Sequence, residues 1–296
     1  MNKRALIVDV ARCTGCHNCV LATKDEHVGN DFPGYSAPQP AHGHEWISIK
    51  RIVRGSGSMV DVSYVPKMCN HCDNAPCIEA AGDGAIRKRD DGVVIIDPVK
   101  ARGRKDLVAA CPYGAISWNE EAQLPQSWFF DAHLLDAGWA EPRCVQVCPT
   151  GALQAVHDTD AAFRERVARE GLEVLRPELG TRPRVFYQNL QRATHCFVGG
   201  NVCRTTPQGR TENVVGARVS LSVSGGKELL RALTDHFGDF KIDGLPGNGA
   251  SYTLEVVHPD FGRARLSGLL DTSNNHATIL LSPSQTQEEK PHVPAL

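Results

Sequence analysis

The sequence predicts an α+β fold in two parts: a cysteine-rich N-terminal half built around bound metal, then a small all-β domain. Three observations predict it. Of the 11 cysteines, nine precede residue 149. Two of those nine open the same phrase, Cys111-Pro112-Tyr113-Gly114-Ala115-Ile116 and Cys148-Pro149-Thr150-Gly151-Ala152-Leu153. Beyond residue 214 the texture changes to alternation, with Val215, Ala217, Val219, Leu221 and Val223 on one face of a strand.

Each element follows from local signals. Gly92–Pro98 reads as a strand leading toward Cys111, and Arg87-Lys88-Arg89 followed by Asp90-Asp91 reads as a solvated hairpin. Residues 158–171 read as an amphipathic helix, started by Asp158-Thr159-Asp160 and stopped by Gly171. Turns are expected at Ser224-Gly225-Gly226 and Asp243-Gly244, and further strands at Asp239–Ile242, Tyr252–Val257, Ala264–Leu270 and Ala277–Leu281. Short strands at that spacing argue for a β-sandwich or barrel. The expected domains are 1–195, metal-binding with a helical extension; 196–283, the β domain; and 284–296, a flexible tail.

A formal net charge of −2 does not point to nucleic acid or an anionic membrane. Cysteines used this densely outside a secretory context favour metal over disulfides, which places the chain in the cytoplasm. The apolar start, Ala5–Val8, is too short for a signal peptide and stops at Asp9. No apolar run is long enough to span a bilayer, so any membrane association would come through a partner. Neither a G-x-S-x-G phrase nor a Walker-type loop occurs, and no catalytic residue is expected on this chain.

The cysteine spacing carries the chemistry. In bacterial ferredoxins a C-x2-C-x2-C run supplies three thiolates to one [4Fe–4S] cube, and the cysteine before proline serves the other. Cys13, Cys16 and Cys19 form such a triplet, Cys69, Cys72 and Cys77 a looser one. With the two Cys-Pro sites they make two ligand sets: Cys13, Cys16, Cys19 and Cys148 (set A), and Cys69, Cys72, Cys77 and Cys111 (set B). A tandem bacterial-ferredoxin-like domain with two [4Fe–4S] clusters is therefore expected. Zinc is the competing metal for four cysteines, but its sites pair two C-x2-C knuckles.

The same spacing shows where ligands are missing. A ferredoxin repeat would also place cysteine at Ala81, Ala101, Arg104 and Leu107, one complete cube. A second cube would need Thr23, Trp128, Asp131 and Cys144, of which only Cys144 is a cysteine; threonine and tryptophan supply no soft thiolate. Both of these sites are expected to be empty, with Cys144 a buried leftover thiol. Cys196 and Cys203 are expected as buried thiols, and His17, His71, His42 and His44 as non-ligands.

Further stretches carry a family resemblance: Asp25-Glu26-His27, Pro33-Gly34-Tyr35, Cys69-Asn70-His71-Cys72-Asp73-Asn74-Ala75-Pro76-Cys77, Trp118-Asn119-Glu120-Glu121, Ala132-His133-Leu134-Leu135-Asp136, Pro177–Thr181 and Phe237-Gly238-Asp239-Phe240. On these the chain resembles the iron–sulfur subunits of molybdopterin enzymes of the dimethyl sulfoxide reductase class, closest to the small subunits of pyrogallol–phloroglucinol transhydroxylase and anaerobic resorcinol hydroxylase. The resemblance implies a transthyretin- or Ig-like C-terminal domain. It also implies a large catalytic subunit carrying a molybdenum bis-pterin cofactor and the phenol site. That small subunit keeps three clusters, and this chain has ligands for two. The alternatives are an electron-transfer subunit of another enzyme of the class, or a mainly structural subunit with vestigial clusters.

Overall fold

The computed structural model describes residues 1–226 and 228–282; the tail expected at 284–296 lies outside the described residues. The chain divides into two compact units, residues 1–52 with 63–193, and residues 53–62 with 194–296. Among the described residues strands predominate, and four of the six α-helices have six residues or fewer.

In chain order the first unit contains β1 (Asn2–Asp9), α1 (Asn18–His27), the bases of β2 (Ser48–Ser56) and β3 (Met59–Lys67), α2 (Pro76–Ala81), β4 (Ile86–Lys88), β5 (Val94–Ile96), β6 (Ser117–Asn119), β7 (Leu124–Gln126), α3 (Ala132–Asp136), α4 (Arg143–Gln146), β8 (Leu153–Thr159), α5 (Asp160–Glu170), β9 (Val185–Gln188) and α6 (Gln191–Thr194). β1 is central in the order β8-β1-β9, antiparallel to β8 and parallel to β9. Its residues 5–8 are buried on both faces because one face packs on Phe163 of α5 and the other on the main core. α5 begins and ends where its caps dictate. Thr159 Oγ1 accepts the Ala162 N–H, and Gly171 takes φ +60, a left-handed stop that costs an L side chain about 1 kcal/mol.

The second unit takes the hairpin tip, 53–62, and then β10 (His195–Thr205), β11 (Thr211–Asn213), β12 (Arg218–Val223), β13 (Leu229–Leu233), β14 (Asp239–Pro246), β15 (Ser251–His258), β16 (Gly262–Leu269) and β17 (Asn274–Leu280). Two four-stranded sheets enclose one core: β10 with β11, β14 and β17, and β13-β12-β15-β16.

Two expectations are corrected here. Asp243-Gly244 is a bulge, not a turn. β14 runs straight through it, and two residues of β14 lie opposite Phe197 alone, between the Cys196↔Leu245 and Val198↔Ile242 pairs. Gly244 supplies the φ of +77 that the bulge needs. Val215 lies before β12 and is exposed, so the alternation starts at Ala217, which is buried with Val219 and Leu221. β10, which carries Cys196 and Cys203, gives no alternating signal because it is central and buried on both faces.

Candidate metal centres

Set A is assembled by three elements. The loop after β1 presents Cys13 and Cys16, α1 presents Cys19, and the segment after α4 presents Cys148. The Cys19 thiol is within electrostatic reach of Cys13, Cys16 and Cys148, and burial pushes it up to about 12. Cys16 is exposed while Cys19 is buried, so one side of this set faces solvent.

Set B lies on the 68–77 loop, the start of α2, and the loop before β6. Cys69 is within electrostatic reach of Cys72, Cys77 and Cys111, and burial pushes its thiol well up. All four thiols line one cavity with Pro76, Ile86, Val94, Tyr113 and Ile116. Among the described residues no three His, Cys, Asp or Glu side chains converge on a single ion. The four cysteines of set B instead line one shared cavity with apolar neighbours. Four soft donors around an apolar-walled space fit an iron–sulfur cube better than a hard cation.

The positions of the missing ligands are filled. Ala81, Ala101 and Leu107 pack with Ala85, Ile86, Val94, Ile96 and Ile116 into a core against which Cys69, Cys77 and Cys111 lean. Arg104 turns outward to Asp83 and Asp106. Around the other site Trp128 is fully buried in the main core with Cys19 and Cys144. The buried Asp131 carboxylate receives Trp128 Nε1–H at 3.2 Å and the Arg143 N–H at 2.9 Å, and lies 3.1 Å from His27 Nε2. Thr23 Oγ1 donates to the Cys19 carbonyl at 2.8 Å. Both Asp131 oxygens are thus engaged by protein groups, and burial pushes the Cys144 thiol well above its ordinary range.

Residues 60–158 match the 4Fe-4S dicluster domain family. The chain is 43% identical over 259 residues to the pyrogallol hydroxytransferase small subunit of Pelobacter acidigallici, covering 86% of this chain and 91% of that one. The chain belongs to the iron–sulfur subunits of the molybdopterin enzyme family. A tetrathionate reductase subunit of Salmonella typhimurium is 32% identical over 197 residues, covering 65% of this chain and 74% of that one. The arsenate respiratory reductase iron-sulfur subunit of Shewanella sp. is 26% identical over 232 residues, covering 62% and 94%. Among solved structures, Klebsiella pneumoniae 5-hydroxyisourate hydrolase is similar over 30% of this chain and 91% of that chain, at 19% identity and a TM-score of 0.23, too small a likeness to argue from.

In this iron–sulfur subunit several residues that spacing could not reveal hold the thiols in place. Lys88, expected in a solvated hairpin, instead donates to the His71 and Cys72 carbonyls, both at 2.8 Å, and pairs with Asp73. The charge run conceals this because only the β4–β5 fold turns Lys88 back over the loop. Thr181, in the Pro177–Thr181 stretch, hydrogen-bonds Tyr113 at 2.6 Å and acts on the Cys72 thiol. The Ala115 N–H points to Cys111 Sγ at 3.4 Å, the type of contact that tunes cluster potentials. His71 is buried, and burial pushes it down to about 3. Its Nδ1 accepts the Val94 N–H at 3.1 Å, so that nitrogen is already engaged. His17 is exposed at the α1 N-terminus, and its side chain makes no cap.

Proposed function

We propose that this chain is the iron–sulfur subunit of a molybdopterin-dependent hydroxytransferase or hydroxylase acting on phenolic aromatics, and that it carries two [4Fe–4S] clusters. Cys13, Cys16, Cys19 and Cys148 would hold one, and Cys69, Cys72, Cys77 and Cys111 the other. The partner is a large catalytic subunit with the molybdenum bis-pterin cofactor, and the second unit is read as its transthyretin-like companion domain. When bound, such clusters supply one-electron redox chemistry and cross-link the loops that ligate them. This chain's residues supply thiolates, backbone N–H donors and a buried setting.

One observation supports the count of two. The eight thiols lie in two groups, while Leu107 on one side and the Trp128–Asp131 pair on the other fill the positions a continuous line of cubes would need. A line broken at its middle positions suits a hydroxyl transfer between phenols, which has no net electron demand. A net hydroxylation must export electrons. Iron and acid-labile sulfide per chain, with EPR after dithionite reduction, test the reading. About eight of each is expected; about twelve would mean a third cube and favour an electron-exporting hydroxylase.

A further inference from the structure

Resting on the reading of a catalytic partner subunit, we propose that the outer face of the β13-β12-β15-β16 sheet is the surface that docks an acidic face of that partner. Alternation along the strands sends Val219, Leu221, Leu254, Val256 and their neighbours into the core, and the opposite set outward. The outward set contains Arg218, Arg231, Arg263 and Arg265, all exposed, against one acid, Glu255. Among the described residues none of the four arginines makes an ion pair. The whole chain carries a formal charge of −2, so positive charge is concentrated on this face.

The register shows how the sheet tolerates this. Arg218 lies opposite Leu233 and Val257, Arg231 opposite Ser220, Arg263 opposite Val257, and Arg265 opposite Glu255. No arginine directly faces another, so direct cross-strand repulsion is avoided; Arg265 has Glu255 opposite it, while Arg218, Arg231 and Arg263 have no carboxylate opposite them. A groove in the face is lined by Arg218, Ser220, Arg231, Leu233 and Val257. Leu229, Leu233 and Leu269 are exposed on the same face, at 47%, 65% and 56%. The strands of this sheet place no lysine on it. Arginine with apolar residues and without lysine is the composition of a protein interface, whereas a nucleic-acid surface would also use lysine freely. Unpaired arginines seek carboxylates, with which they make bidentate contacts.

The test is co-expression with a tagged catalytic subunit, followed by titration of dissociation. The variant R218E/R231E/R263E/R265E is expected to raise the dissociation constant about tenfold or more, with iron per chain unchanged. Glu255→Arg, which adds to the face, is expected to tighten the complex and to make it more salt-sensitive. Unchanged affinity in both variants overturns the proposal. So does a wild-type homodimer that the quadruple variant dissolves, or nucleic acid retained by the wild type and lost from the variant. If the wild type itself recovers no molybdenum-containing partner, the proposed function fails instead.

Discussion

Trp128 and Asp131 stand where a third cube would need cysteines, and their side chains pack and hydrogen-bond with each other there. The indole fills volume in the main core, while the carboxylate accepts the indole N–H and the Arg143 amide. Asp131→Ala leaves those donors buried and unpartnered, at a cost of about 2–4 kcal/mol; a denaturant titration that found no loss would remove the carboxylate from this role. Cys144 is fully buried beside it. Cys144→Ala is expected to lower stability by about 1–2 kcal/mol while leaving iron and sulfide per chain unchanged. A loss of iron in that variant would restore Cys144 to the ligands.

At the scale of elements, the hairpin tip and the β14 bulge make one electrostatic knot. The buried Arg54 pairs with Asp61 and with Asp243 at 2.8 Å, and Lys241 pairs with Asp243 at 2.8 Å. Arg54 and Lys241 both lie over the Phe197 ring. The bulge delivers Asp243 to this knot, so its Asp-Gly pair serves a purpose that a turn would not. Asp243→Ala is expected to cost about 1–3 kcal/mol by leaving Arg54 with one carboxylate. Chemical denaturation followed by hydrogen exchange on β10 and β14 reads it, and protection equal to wild type would count against the knot. In the first unit the Asp25-Glu26-His27 stretch is interlocked in the same manner. Glu26 bonds His133 at 2.9 Å and Arg143 at 2.7 Å, tying α1 to α3 and α4 around the filled site.

For the whole molecule, the second unit carries its own acid sensitivity. Burial alone would raise the Asp243 carboxyl, but the hydrogen bonds from Arg54 and Lys241 outweigh it and hold the group below its ordinary 3.8. A carboxylate depressed in the folded state stabilises it above the unfolded value and loses that contribution as pH falls through the folded value. Exchange protection of β10 and β14 is therefore expected to fall below about pH 4, and less steeply in Asp243→Asn than in the wild type. Identical pH profiles would show that the knot does not set the acid limit.

The sequence by itself determined which cysteines could be grouped, because cluster ligands follow spacing and a proline neighbour, and it placed α5 and the later strands through caps and alternation. It did not reveal β10, whose two-sided burial erases the period of two, nor the bulge at Asp243-Gly244, which shares its residues with a turn. Only the tertiary structure decided what occupies the abandoned ligand positions, since packing by Leu107 and Trp128 joins residues far apart in the chain. It alone also turned Lys88 onto the Cys72 loop and gathered four unpaired arginines on one sheet face, because both follow from strand register, which no local pattern encodes.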